Sequence, residues 1–146
     1  MNEDGNTATP MTHWLVSGAA LIWNFFGMLV YIMTVRATPE TLAQQYNEAE
    51  IAFMQSVPMW ATSANAIAVT AGVIASILLL MKKSLALPLF ALSLVALLVQ
   101  DLHSFVFADV VSVFGMVPVY IQGTVLVIAV ALLAYTYAAK RRGLLR

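Results

Sequence analysis

The sequence predicts an all-α membrane protein: a bundle of four transmembrane helices with a short amphipathic helix in the first outward loop. The composition is the first observation behind this fold, because 62% of the 146 residues are hydrophobic and only 10% are charged. Soluble domains are about half apolar and a quarter charged. The second observation is that the apolar residues form four stretches of about 20 residues, the length that a helix needs to cross a bilayer.

The predicted spans cover residues 12–35, 58–81, 85–107 and 116–139, and together they form one transmembrane domain. Strands of a membrane barrel would be shorter and would alternate polar with apolar residues, which these stretches do not do. The first span follows Glu3 and Asp4 rather than basic residues, and its exit at 36–39 is a poor cleavage site. We therefore interpret it as a retained helix and not as a signal peptide.

The basic residues predict the orientation of the chain. Lys82 and Lys83 lie between the second and third spans, and the other four basic residues of this group follow the last span: Lys140, Arg141, Arg142 and Arg146. Four spans place these two groups on the same side of the membrane, and the positive-inside rule makes that side the cytoplasm. We expect a multi-pass inner-membrane protein with both termini in the cytoplasm.

The first outward loop, residues 36–57, has the pattern of a short amphipathic helix. Thr38-Pro39-Glu40 combines a capping hydroxyl, a proline suited to the first turn and an acid near the positive end of the helix dipole. Apolar residues follow at helical spacing, namely Leu42, Tyr46, Ala49 and Phe53. We expect this helix to lie on the outer membrane surface or to cap the bundle.

Polar residues inside the spans are the candidate functional residues, because polar side chains of membrane helices seldom face lipid. Their positions place them in one layer in the outer half of the bilayer. We predict an outward-opening cavity for a small molecule or a proton, lined by Asn24, Tyr31, Asn65, Gln100, Asp101, Ser104 and Gln122. Tyr31 would lie at its rim and Asn24 near its floor. The amides can also serve as hydrogen-bonding contacts between helices, and that structural role stays open.

Asp101 stands apart because an ionised carboxylate inside a membrane span is costly. At 100° per residue, Asp101 and His103 lie on opposite sides of the polar stripe of their helix, so each needs a partner on a neighbouring helix. Three roles stay open for Asp101. It has a function, it pairs structurally with Tyr31 or an amide, or it extends to the outer surface. A metal site needs converging ligands. One Asp and two histidines, with His13 at the opposite side of the membrane, do not predict one.

The second span carries a small residue at every fourth position, which allows two helix backbones to approach closely. This ridge is formed by Ala64, Ala68, Gly72 and Ser76. We expect it to pack inside the monomer or, alternatively, to form the interface of a homodimer.

Several classes of function are disfavoured by the sequence. It has no glycine-rich phosphate loop and no nucleophile elbow, so we expect neither an enzyme nor a bound cofactor. The absence of cysteine excludes disulfides and thiolate metal sites. The net charge of zero gives no general attraction to nucleic acid. The lipid bilayer is the expected partner.

Four short motifs resemble a group of small bacterial four-helix membrane proteins. They are Trp23-Asn24-x-x-Gly27-x-x-x-Tyr31, Thr38-Pro39-Glu40, Pro58-x-Trp60-Ala61 and Leu87-Pro88-Leu89-Phe90-x-Leu92-Ser93. Members of the group are often labelled automatically as sugar transporters, although no activity is established for it. The resemblance covers nearly the whole chain and implies a bacterial inner-membrane protein. Asp101 lies where the pattern of the group has an uncharged residue.

Two functions follow from these observations. The first is a transporter-like protein with a solute in the polar cavity, which at this size requires a homodimer. The second is a non-transporting accessory or structural protein that docks a membrane-protein partner through its outward loop helix. We expect Asp101→Asn to abolish flux under the first hypothesis and to change only stability under the second.

Overall fold

The computed structural model describes residues 9–146, so Glu3 and Asp4 lie outside the described residues. In chain order the helices are α1 (Met11–Arg36), α2 (Pro39–Gln45), α3 (Glu48–Ser56), α4 (Met59–Leu80), α5 (Ala86–Asp101) with a π-helical continuation (Leu102–Phe107), α6 (Val110–Phe114) and α7 (Val117–Arg141). Four are long and apolar enough to cross a membrane: α1, α4, α5 with its continuation, and α7. The described part of the chain contains no strand. The predicted all-α, four-helix membrane fold is confirmed.

The long helices pack in the order α1, α4, α5, α7. Helix α4 lies between α1 and α5, and α7 packs on the other side of α5. Helices α1 and α7 hardly contact one another along their length. The bundle is therefore open on one side. There α1 and α7 form two walls, and α4 and α5 form the back between them.

Small residues of α4 allow the close packing at the centre of the bundle. All four residues of the predicted ridge are buried within this single chain: Ala64, Ala68, Gly72 and Ser76. Gly72 faces α1 and α5 at once, since a Cβ there would collide with Asn24 Oδ1 and would lie 3.3 Å from Ser93 Oγ. The ridge lies where α1, α4 and α5 meet.

The end of the bundle where α1 begins and α7 ends, called the terminal end below, is tied together by the last residues of the chain. The backbone N–H of Ser84 donates to the Arg146 carbonyl at 2.7 Å, and the Arg146 N–H donates to the Lys82 carbonyl at 2.7 Å. Leu145 is buried in an apolar cluster with Ala75, Leu79, Ala86, Phe90 and Ala139. The hydropathy pattern gave no sign of this tail, because it is too short to form a periodic element.

At the opposite end, called the loop end, the first loop contains two short helices where the sequence predicts one. Thr38 caps α2 as expected, with its hydroxyl accepting from the Thr41 N–H at 3.4 Å. Asn47 then starts α3, since its side chain accepts from the Glu50 N–H at 3.0 Å and the Glu50 carboxylate accepts from the Asn47 N–H at 2.8 Å. This reciprocal capping box starts a new helix at Asn47 and so competes with the continuation of α2 beyond Gln45.

The apolar residues of the first loop fold against the second loop. The rings of Tyr46 and Phe53 stand edge-on to Phe114 of α6, with centroids 6.5 and 5.5 Å apart. Two of the four residues of the amphipathic stripe, Tyr46 and Phe53, therefore join the two loops over the loop end of the bundle.

Candidate functional site

A cleft of about 320 Å³ lies between α1 and α7. Every spanning helix contributes polar side chains to its lining: Asn24 and Tyr31 from α1, Asn65 from α4, Ser93 and Gln100 from α5, and Gln122 from α7. Thr34 of α1 adds a hydroxyl, and the remainder of the lining is apolar or aromatic and includes Trp23, Phe26, Val125 and Ile128. Small-molecule sites are clefts of about 300–1,000 Å³, so this one has room for a small solute.

The cleft brings together most of the residues predicted to line one cavity, namely Asn24, Tyr31, Asn65, Gln100 and Gln122. Asp101 and Ser104, predicted to lie with them, do not line it. Asp101 follows Gln100 directly, and one residue turns an α-helix by about 100°. Ser104 would share the face of Gln100 in a regular α-helix, but the chain becomes π-helical at Leu102 and loses that spacing.

The cleft occupies the part of the bundle nearer to the loop end. On α1 its lining begins at Trp23 and reaches Thr34, within one turn of the end of the helix at Arg36. On α7 the lining runs from Ile121 to Leu132. Residues 11–22 of α1 contribute nothing to the lining. The lining on α1 thus lies towards the loop end, whereas on α5 it extends back to Phe90, about one turn from the start of that helix.

Asn24 lies near the floor and is held in place by hydrogen bonds. Its amide nitrogen donates to the Ala20 carbonyl at 2.9 Å and to Ser76 Oγ of α4 at 3.0 Å. Ser76 in turn donates to the Gly72 carbonyl at 2.8 Å, and Ser93 of α5 donates to the Ala68 carbonyl at 2.7 Å. Asn24 therefore joins α1 to α4, the structural role that the sequence left open for it.

Asp101 and His103 turn towards different neighbouring helices. Asp101 is buried against Gln122 of α7, while His103 stands edge-on to Trp60 of α4 with ring centroids 5.3 Å apart. Within the described chain, both Asp101 oxygens, Gln122 Nε2 and His103 Nδ1 are buried without a hydrogen-bond partner. Gln122 thus lines the cleft and also lies against the carboxyl group behind the cleft wall.

His13, which the sequence brings up only as a metal ligand that lacks partners, forms a buried polar contact at the terminal end. The ring is fully buried, with Nε2 3.0 Å from the Leu79 carbonyl and Nδ1 3.2 Å from the Tyr135 hydroxyl. The spacing of His13, Ser17 and Ala20 on one face of α1 is the signal that could have indicated it. Among the residues that the structure describes, no group of three or more acidic or histidine side chains could hold a metal ion.

Comparisons with protein-family models, curated proteins and solved structures found no match to this chain. The fold and the cleft define a class: a small multi-pass membrane protein in which polar groups from four helices line one cleft. Its function has to be inferred from the chemistry of that cleft.

Proposed function

We propose that this chain is a transporter-like protein that binds a small uncharged solute in the cleft between α1 and α7. The observation that carries the proposal is the convergence of polar side chains from all four spanning helices on one cleft. A polar group in hydrocarbon costs free energy unless it finds a partner or water. Groups serving only as contacts between helices need not converge on an open space, whereas groups that bind a solute must.

The lining favours an uncharged, partly apolar solute. Its polar groups are amides and hydroxyls, and no Asp, Glu, Lys or Arg is among them. Amides both donate and accept hydrogen bonds, so they suit hydroxyl or amide groups on a ligand. The rings of Trp23 and Tyr31 offer apolar faces to the same molecule. A proton, the other cargo that the sequence left open, would use Asp101, which lies behind Gln122.

We further propose that the loop end faces outward and the terminal end faces the cytoplasm of a bacterial inner membrane. The support is the location of Lys82 and Lys83 and of the four basic residues after α7 at the terminal end. Reporter tags at residues 1 and 146 should both report the cytoplasm, and a tag near Gln45 should report the outside. Termini on opposite sides would contradict this topology.

The binding proposal is tested by thermal unfolding of the purified protein with a panel of uncharged compounds, such as monosaccharides, polyols and small amides. A ligand at about 100 times its Kd stabilises a protein by about 2.7 kcal/mol. A stabilising compound should raise the Tm of the wild type, but not that of Gln122→Leu or Asn65→Leu. Thr124→Val is the matched control, since Thr124 lies on α7 outside the cleft and bonds its own helix. An equal shift in all variants would contradict binding in the cleft.

A second candidate, the accessory protein, is favoured by the loop end. Neither α2 nor α3 contains a buried residue. These exposed helices could dock another membrane protein, and the exposed apolar faces of α1 and α7 could contact a second copy. Under this function, Glu40→Lys, which reverses the one charge of α2, should abolish capture of the partner, while Gln122→Leu should leave it intact.

A further inference from the structure

The cleft has a closed end, and the closure is formed by specific polar contacts. His13 of α1 and Tyr135 of α7 are directly hydrogen-bonded, although α1 and α7 do not pack on each other along the cleft. Tyr135 lies about one turn beyond Leu132, the last cleft residue of α7. On α1, His13 precedes the first cleft residue, Trp23, by ten positions, or about 15 Å of helix. The two walls therefore converge below the cleft, at the terminal end.

The chemistry of this contact fixes the histidine ring. A carbonyl can only accept, so Nε2 carries the hydrogen that is donated to Leu79. In the neutral ring Nδ1 is then an acceptor, and the Tyr135 hydroxyl donates to it. The Tyr135 ring also stacks on the imidazole at 6.1 Å, and Trp14 stands edge-on to it at 6.0 Å. His13 is thereby held between α4 and α7 at once.

Buried side chains surround the His13 ring, while Tyr135 itself is half-buried. Ser17, Ser76, Leu79 and Thr136 are all fully buried at this end of the bundle. Below them, the tail packs Leu145 into the apolar cluster and pairs its backbone with Lys82 and Ser84. A solute in the cleft would meet the His13–Tyr135 contact before it could reach the terminal end.

We propose that the hydrogen bond between His13 and Tyr135 is the latch that keeps the cleft closed towards the terminal end, and that it must open for a solute to pass. This inference rests on the proposed function, because a latch has meaning only for a cleft that opens to the other side. Removing the latch should let α1 and α7 separate and admit water from the terminal end.

The chain has no cysteine, so a single probe can report on access from each side. Val69, a cleft residue of α4, is replaced by cysteine. The variant is placed in oriented vesicles and treated, from one side at a time, with a charged, membrane-impermeant methanethiosulfonate reagent. With the latch intact, labelling should occur from the loop end only. Tyr135→Phe, which removes the hydroxyl and keeps the ring, and His13→Leu should each raise the labelling rate from the terminal end at least tenfold.

The control is Tyr137→Phe, because Tyr137 lies on the same helix but is exposed and its ring faces Arg141 instead. It should leave labelling from both ends unchanged. If His13→Leu fails to fold, Tyr135→Phe decides the matter alone. Unchanged labelling from the terminal end in folded Tyr135→Phe would overturn the latch. Failure of labelling from the loop end, with the latch intact, would instead count against the open cleft and hence against the proposed function.

Discussion

Gly72→Ala tests the packing that places Asn24 at the floor of the cleft. The added Cβ would collide with Asn24 Oδ1 and come within 3.3 Å of Ser93 Oγ. Asn24 is also bonded to Ala20 and Ser76, so it cannot move aside without breaking the contact between α1 and α4. A single methyl group at this position should therefore disturb three helices.

The change in the free energy of unfolding has three contributions, two that lower stability and one that raises it. Overpacking a well-packed site costs about 1–3 kcal/mol, and an interhelical hydrogen bond in a membrane contributes about 0.6 kcal/mol. Alanine, however, is favoured over glycine in a helix by about 1 kcal/mol. The net loss should be about 0.6–2.6 kcal/mol, and Gly72→Leu should cost more. At about 2–4 °C per kcal/mol for a chain of this size, the Tm of Gly72→Ala should fall by several degrees.

Thermal unfolding in detergent, followed by tryptophan fluorescence, measures the difference. Gly123→Ala on α7 is the control, because a Cβ there meets nothing within 4 Å, and it should be as stable as the wild type or slightly more so. The double variant with Asn24→Ala should recover part of the loss, since the obstructing amide is gone. The reasoning is refuted if Gly72→Ala melts together with Gly123→Ala.

Three further predictions concern other parts of the chain. Leu145→Ala should lower the free energy of unfolding by about 2–5 kcal/mol, as truncation of a buried leucine does, and a small change in a chemical or thermal melt would show that the tail is not part of the core. Asp101→Asn should raise the Tm, because an uncharged amide costs less to bury without hydrogen bonds than an ionisable carboxyl group does; the matched change at the exposed Glu48, Glu48→Gln, should not, and a lower Tm for Asp101→Asn would contradict this. The backbone N–H groups at the start of α2 hold the pKa of Glu40 below its ordinary value, so its support of α2 should be present at neutral pH and be lost as the pH falls through that lowered pKa; hydrogen exchange of α2 should lose this dependence in Glu40→Gln.

The spans could be predicted because hydropathy alone decides whether a helix lies in lipid. The interval predicted as 58–81 is α4, Met59–Leu80, and 85–107 is α5 with its continuation, Ala86–Phe107. The depth of each polar residue also follows from its position along a straight helix. Asn65, Gln100 and Gln122 could therefore be placed in one layer before their contacts were known.

The rest depends on geometry that a regular helix does not have or that distant residues create. The π-helical turn after Asp101 moves Ser104 off the face of Gln100, and no composition signal marks such a turn. The bond between His13 and Tyr135 joins residues 122 positions apart. Helical spacing could show that His13 shares a face with Ser17, but the partner across the bundle depends on how the helices pack.

The most direct test of the central proposal is whether water reaches one face of α1 along the cleft. Single cysteines at each position from 23 to 34 would be tested in the bilayer with a small, charged thiol reagent. Four residues that line the cleft along this face of α1 should react fastest: Asn24, Gly27, Tyr31 and Thr34.

These positions recur at intervals of three and four residues, which is the signature of one helix face. Positions on the opposite face, such as Phe25, Leu29 and Met33, should stay unreactive because they contact lipid. A reactive stripe with this period is the predicted result. Uniform protection of all twelve positions, or reactivity without helical period, would show that no water-filled cleft lies between α1 and α7.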